Sequence, residues 1–419
     1  MGKPVFLTAR EAAAELGVSV ATIYAYVSRG RIRSELADNT RSRRYSRDDI
    51  ESLKERHEQR RNPARVAEKA LHWGAPVLES AISLIDDGQL YYRGHNVVTL
   101  AKERNVEQVA ALIWTGDWIF PNSNSLNISH LWRTWQKSVA SLSPMEKFQV
   151  FVSMAAPHDL SAYDLRPAAV AQTGARILRM LAAIAAGCMP SEEPITQVIQ
   201  RSWASSDRKA IALINTALIL SADHELNVSA FTARCVASAG STPYAVVTAG
   251  LAALQGAKHG GYCDRVEALF NEAGNPSSAR SCLVSRLRRG EEVPGFGHSL
   301  YPKGDPRGAI LFKMVTRACP SNTAVKLAIA INTAMRNLTG EHPTIDFALV
   351  TLARALSLPQ GAAIGLFALG RTIGWIGHAI EQYQTNRLIR PRARYIGITP
   401  TQNANKYENS TAAIKDKNR

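Results

Sequence analysis

Two histidine loops, Lys258-His259-Gly260-Gly261 and Gly295-Phe296-Gly297-His298, are followed by the run Thr344-Ile345-Asp346-Phe347. Two imidazoles set among glycines, with one carboxylate, are the groups needed to make and hold an enolate. The carboxylate takes a proton from carbon, and the imidazoles donate to carbonyl oxygens as negative charge builds there. The glycines allow a ligand close to the backbone on either side of each ring. Asp346 also reads as a helix N-cap, and the two readings are compatible. His72, His95, His158 and His378 lack such surroundings and read as ordinary hydrogen-bonded residues.

Outside these loops the chain is dominated by Ala- and Leu-rich helical periodicity, as in 170–186, 208–220, 231–239 and 323–336. Strand-like runs are scarce beyond a hairpin expected near 81–92. The 419 residues leave room for two or three domains, and 46% hydrophobic content with mean hydropathy −0.14 is that of a globular protein. No apolar run is expected to reach the roughly 18 residues of a membrane span; 211–220 and 362–369 are too short. The first ten residues lack a leader's hydrophobic region, so the expected location is cytoplasmic. Five scattered cysteines without a CxxC pair point to reduced thiols rather than disulfides or a metal site.

The formal net charge of +15 favours polyanionic partners, nucleic acid or a phosphate-rich substrate. Part of it lies in the first sixty residues, which form a unit of their own. Thr8 and Glu11 make a capping box before a helix that stops at Gly17; Ser19 then caps a second helix, 20–29, ended by Gly30. Residues 31–45 alternate Arg and polar residues around Asp38-Asn39, as a hairpin wing does, and Ser46 opens a third helix running through Lys54 and Arg60. The runs Leu7-Thr8-Ala9-Arg10-Glu11-Ala12-Ala13, Val18 to Tyr24 and Arg43-Arg44-Tyr45-Ser46 resemble the excisionase-like and MerR-like winged helix-turn-helix family. That resemblance implies DNA binding, with Ser19, Thr22 and Tyr26 in the major groove and Arg29, Arg31, Arg33, Arg41, Arg43, Arg44 and Arg47 meeting phosphates. A basic solvated appendage used for oligomer contacts is the alternative. Residues 61–70, after Pro63, read as linker, 71–400 as the main domain, and 401–419 as a polar tail.

From about residue 75 to 398 the chain resembles the citrate synthase family. The match runs in order through Ala81–Asp86 and Tyr92-Arg93-Gly94-His95, then Ala222-Asp223-His224-Glu225-Leu226-Asn227-Val228-Ser229, then the two histidine loops and Asp305-Pro306-Arg307. It continues through Asp346-Phe347 and Gly370–His378 to Ile389-Arg390-Pro391-Arg392. The resemblance implies a mainly α, two-domain helical fold with a large domain and a small lid near 265–365. It implies that Asp346 is the base, that His259 and His298 donate hydrogen bonds, and that His224, Arg307, Arg371 and Arg390 bind the acceptor. Arg390 would come from the neighbouring subunit of a homodimer with shared active sites. The implied substrates are acetyl-CoA and oxaloacetate, with no metal and no cofactor. Ser229 is a candidate for fixing the His259 ring. Basic residues Arg286, Arg288, Arg289 and Lys303 would meet coenzyme A phosphates or simply face solvent.

Several positions depart from the family pattern. Tyr262-Cys263-Asp264 stands where the family has Ala-Asn-Glu, Ser299 replaces an Arg after His298, and 121–165 lacks the usual His-Pro-Met run. These departures leave propionyl-CoA, giving 2-methylcitrate, as an alternative to acetyl-CoA. A DNA-binding regulator that senses metabolites through a citrate-synthase-like body is the rival class. The presence of Asp346 beside both His259 and His298 favours an enzyme.

Overall fold

The computed structural model describes residues 6–36, 43–47, 49–50, 53, 78–122, 132, 134, 139–205, 207–393 and 395–397. The expected linker (61–70), the polar tail (401–419), His72, Arg41, the wing tip at 38–39 and the third helix from 54 onward lie outside them. The chain divides into two units, Met1–Glu79 and Ser80–Arg419.

In the first unit β1 (Phe6–Leu7) leads into α1 (Ala9–Leu16), α2 (Val20–Ser28), β2 (Ser34–Leu36) and β3 (Arg43–Ser46). Both bonds of the Thr8–Glu11 capping box are made, Gly17 caps α1 in the left-handed conformation, and Ser19 Oγ accepts from the Thr22 amide. The strands form an antiparallel sheet in the order β1-β3-β2, so β2 and β3 are the expected wing. Leu7, Ala12, Ala13, Ile23, Ile32, Tyr45, Ile50 and Leu53 make the small core. Tyr26 packs against that core while Tyr24 stands 55% exposed, so the aromatic side chain that α2 offers outward is Tyr24 and not Tyr26. The period of 3.6 explains this: Tyr26 follows buried Ile23 by three residues and shares its face.

The second unit opens with the expected hairpin, β4 (Ser83–Asp86) and β5 (Gln89–Tyr92), extended by β6 (His95–Asn96). Helices follow: α3 (Val97–Glu103), α4 (Val106–Thr115), α5 (Pro144–Ala155), α6 (Pro167–Ala186), α7 (Ile195–Trp203), α8 (Lys209–Ser221), α9 (Val228–Ser238) and α10 (Pro243–Leu254). After them come α11 (Tyr262–Ala273), α12 (Ala279–Arg288), α13 (Pro306–Ala318), α14 (Thr323–Thr339), α15 (Ile345–Ala355) and α16 (Ala362–Thr385). The protein is thus mainly helical, as expected. The last helix departs from the expectation that apolar runs stay short. Arg371 and His378 interrupt its sequence pattern, yet α6 and α16 are both long and apolar enough to cross a membrane. The apolar window of α16 is wholly buried in the protein's own core, against α6, α8, α9 and α10, as the central helix of a globular domain is.

Two close approaches carry the site. A Cβ at Gly374 of α16 would come within 2.4 Å of the Ala222 carbonyl and of Asp223 Oδ1. One at Gly308, in the first turn of α13, would meet the Thr344 carbonyl carbon at 2.5 Å. Glycine there lets α13 lie directly on the start of α15. We predict that Gly308→Ala destabilises the protein by about 2–3 kcal/mol through overpacking, read as a lower urea midpoint with an unchanged slope.

Candidate active site

The candidate residues sit at the ends of helices. His224 lies in the turn between α8 and α9, His259 just before α11, His298 and Tyr301 in the loop before α13, Arg307 in the first turn of α13, and Asp346 in the first turn of α15. Hydrogen bonds tie these ends together. Ser229, in the first turn of α9, meets His259 Nε2 at 2.9 Å. Cys263 Sγ, in the first turn of α11, donates to Asp346 Oδ1 at 3.4 Å. Asp305 caps α13 and accepts from the Ile345 amide that opens α15 at 3.1 Å. Four helix N-termini are therefore linked to one another, and their dipoles make the region favourable to anions.

Thr344, not Asp346, occupies the N-cap position of α15. The Asp346 carboxyl meets Cys263 Sγ, its own backbone amide and, at 3.4 Å, Thr344 Oγ1. Burial raises its pKa above the ordinary aspartate value, against the lowering effects of the Cys263 bond and of Arg307. A carboxylate in this state is a stronger base than a solvated one.

The imidazoles are driven the other way. His259 is pushed down to about 4 by burial and by the Arg371 guanidinium. His298 is lowered by burial and by Arg307, and His224 well lowered by burial, Arg307 and Arg371. All three rings are neutral at pH 7 and available as uncharged hydrogen-bond partners. The Leu300 amide donates to His298 Nδ1 at 3.2 Å, so the neutral ring carries its proton on Nε2. His224 Nε2 is 2.9 Å from the Tyr301 hydroxyl, and the rings of His224 and His298 stand edge to face, 5.4 Å apart. Around His259, the Ser229 hydroxyl donates to Asn227 Oδ1 at 2.8 Å while Oγ meets Nε2. Rotating that one hydroxyl exchanges the two tautomers of His259, because its single proton can serve either Asn227 or the ring.

The two internal arginines differ in their commitments. Arg307 Nε and Nη2 hold Asp305 at 3.0 and 2.9 Å, a buried bidentate pair that raises the guanidinium pKa further. Arg371 is 1% exposed; its Nε donates to the Ser221 carbonyl at 2.8 Å, and its Nη1 has no hydrogen-bond partner. Burial pulls its pKa down to about 10, with Asp223 opposing. A buried guanidinium nitrogen without a partner is costly unless an anion completes it. Asp223 is in turn held by His378 Nε2 at 3.2 Å and by the Ser83 hydroxyl, so His378 is the structural residue the sequence suggested. Arg390 lies exposed beyond α16, on a segment anchored by the Ile389 amide to Ser238 Oγ at 3.1 Å.

The structure thus gathers His224, His298 and Arg307 around Tyr301, sets His259 beside Arg371 through the Phe367 ring, and places Asp346 within electrostatic reach of Arg307 and Arg371. Sequence reasoning missed Tyr301 and Asp305; the Asp-Pro pair before Arg307 was the available signal, since Asp caps a helix that Pro opens. Among the described residues no cluster of three His, Cys, Asp or Glu side chains is arranged to hold a metal, and all five cysteines are free.

The profile of the citrate synthase C-terminal domain matches residues 70–392, and that of a helix-turn-helix domain matches residues 6–58. The chain belongs to the citrate synthase family, carrying an added N-terminal helix-turn-helix domain. It is 28% identical over 356 residues to citrate synthase 2 of Bacillus subtilis, a match covering 77% of this chain and 94% of the relative. It is also 28% identical over 354 residues to 2-methylcitrate synthase of Mycobacterium tuberculosis, covering 77% and 89%. Its fold matches citrate synthase from Thermoplasma acidophilum in ternary complex with carboxymethyl coenzyme A and oxaloacetate, with TM-score 0.65 and 23% identity over 79% of this chain and 96% of that one.

The lowered basicity of His259 gives a direct test. In a spectrum of the 15N-labelled imidazole, the His259 resonances keep neutral-ring shifts from pH 8 down to about pH 5, because a ring with a pKa of about 4 binds its second proton only below that. Protonation with an ordinary histidine midpoint would contradict the burial described here.

Proposed function

We propose that this protein condenses acetyl-CoA with oxaloacetate and hydrolyses the resulting thioester to citrate and coenzyme A, the entry step of the tricarboxylic acid cycle. The observation that supports it most is the set of hydrogen-bonded helix starts that carries His259, Asp346 and Arg307, in which burial raises the carboxyl and lowers the imidazoles. At family level the activity is that of an acyltransferase whose acyl group becomes alkyl on transfer.

In this reading Asp346 removes a methyl proton from the thioester while His259 donates from Nδ1 to the carbonyl oxygen, which becomes the enol oxygen. Ser229 turns its hydroxyl from Asn227 to Nε2 and so selects the Nδ1–H tautomer. The enol carbon then attacks the ketone carbon. The ketone electron pair moves to oxygen, where His298 Nε2–H meets the developing alkoxide. Arg371 Nη1 supplies the partnerless donor for one carboxylate of the acceptor, and the remaining Nη1 of Arg307 serves the second. His224 orients the acceptor. Water finally breaks the thioester bond, leaving a carboxylate and the free thiol.

Arg390 reaches the site of a second copy in this reading. Its flanks fit a segment that docks elsewhere: Leu388, Tyr395 and Ile396 are 61%, 72% and 88% exposed. A homodimer with shared sites follows.

Turnover with purified protein tests the proposal. Asp346→Ala should lower citrate formation by about 10²–10⁴-fold, the usual share of a positioned base, with the fold intact by circular dichroism. A protein that turns over neither acetyl-CoA nor propionyl-CoA would be a sensor and not an enzyme. Relatives carry both citrate and 2-methylcitrate synthase names, and the kcat/KM ratio for the two thioesters separates those readings.

The N-terminal unit we assign to duplex DNA. Exposed Tyr24 on α2 and exposed Arg29, Arg31, Arg43 and Arg44 beside it support this, whereas Arg33 and Arg47 are engaged by Asp49 and Glu15. Retention of the protein on DNA should fall steeply with salt, with log affinity declining by about 0.9 per phosphate contact for each log of salt, and should vanish when residues 1–60 are deleted. Unchanged retention by the truncated chain would assign the charge elsewhere.

A further inference from the structure

The sequence departs from its family where Cys263 replaces an amide side chain, and the structure puts that thiol on the candidate base. Sγ lies 3.4 Å from Asp346 Oδ1. For sulfur this is full hydrogen-bonding contact, whereas the 3.4 Å from Thr344 Oγ1 to Oδ2 is long for a hydroxyl. Cys263 is 1% exposed and is held on the first turn of α11, the helix that His259 precedes.

We propose that Cys263 is a positioning residue for the condensation: its thiol proton fixes Oδ1 of Asp346, and, being a weak donor, it does so without quenching the carboxylate. This rests on the reading of Asp346 as the base. The thiol stays protonated because burial and then Asp346 push its pKa well up, with Asp264 and Glu267 adding to the effect. Sγ is therefore a donor throughout the working range. The charged groups bearing on Asp346 come from two further helices, Arg307 and Asp305 of α13 and Arg371 of α16. None of these donates to it in a hydrogen bond. An amide at position 263 would be a stronger donor, and would neutralise more of the charge that takes up the methyl proton.

The sign follows from the direction of the bond's effect. A hydrogen bond to the ionised carboxylate lowers its pKa, and activity is lost as pH falls through that pKa. Cys263→Ala removes the donor, so the acid limb of the kcat profile should move up by about one pH unit, with kcat at its plateau reduced about tenfold. KM for acetyl-CoA should stay within about twofold, and the isotope effect on kcat with methyl-deuterated acetyl-CoA should rise as proton removal becomes slower. Cys263→Asn should move the acid limb the opposite way, below wild type, and it carries the test alone if the alanine variant fails to fold. His259 and His298 titrate on the same side of the profile, but neither is bonded to Cys263, so their contribution is common to all variants. A purely packing role would lower kcat without moving either limb. If both variants fold and their limbs coincide with wild type, the proposal is overturned. Asp346→Asn separates the two levels: if it abolishes turnover while the Cys263 profiles do not move, only this inference falls. If it retains turnover, the reading of the base falls, and this inference with it.

Discussion

A single carboxylate, that of Asp305, holds the site in register. It is 2% exposed, binds Arg307 through two nitrogens, accepts from the Arg307 amide, and accepts again from the amide that begins α15. Such a carboxylate joins two helix starts that would otherwise repel through their like-signed dipole ends. Truncating it would leave a buried guanidinium and a helix amide unsatisfied at once, a loss that costs far more than a surface ion pair contributes. The glycine at 308 makes this possible by letting α13 and α15 touch backbone to backbone. Arg307, His298 and Asp346 inherit their relative placement from that contact.

The electrostatics of the region then follow from burial in the company of cations. Burial, and after it the neighbouring guanidiniums, lowers all three histidines, and burial raises Asp346 despite the pull of Arg307. The competition is resolved by distance and solvation: the arginines are close to His224 and His298, while the desolvation of Asp346 outweighs their attraction. The result is acid and base character distributed at neutral pH without a metal-binding cluster among the described residues. Arg371 keeps one buried nitrogen without a hydrogen-bond partner.

Much of this was legible in the sequence because turn chemistry and helical periodicity are local. The Thr8–Glu11 box, the Gly17 stop, the Ser19 cap and the hairpin at residues 83–92 are each set by a few adjacent residues and stand where expected. The long helices were also legible, within a few residues at their ends. What escaped depends on tertiary placement. Tyr26 and Tyr24 are equally plausible outward residues until Ile23 declares which face is buried. The length of α16 was hidden because Arg371 and His378, polar in a list of letters, are satisfied inside the fold by Ser221 and Asp223. Tyr301 has no signal at all, since its contacts with His224 Nε2 and the Arg307 face arise from a loop without periodicity.

The substitution at position 263 shows how a family pattern and a physical reading complement each other. As a departure from the pattern, Tyr262-Cys263 bore on whether acetyl-CoA or propionyl-CoA is the expected thioester. The geometry directs the second of these residues to the Asp346 carboxyl, because one helical residue in the first turn of α11 faces the first turn of α15. A thiol and an amide differ little in volume but considerably as donors, so the exchange alters the charge on Asp346 more than the shape around it. The scaffold is retained while the Asp346 carboxyl receives a thiol as its hydrogen-bond donor.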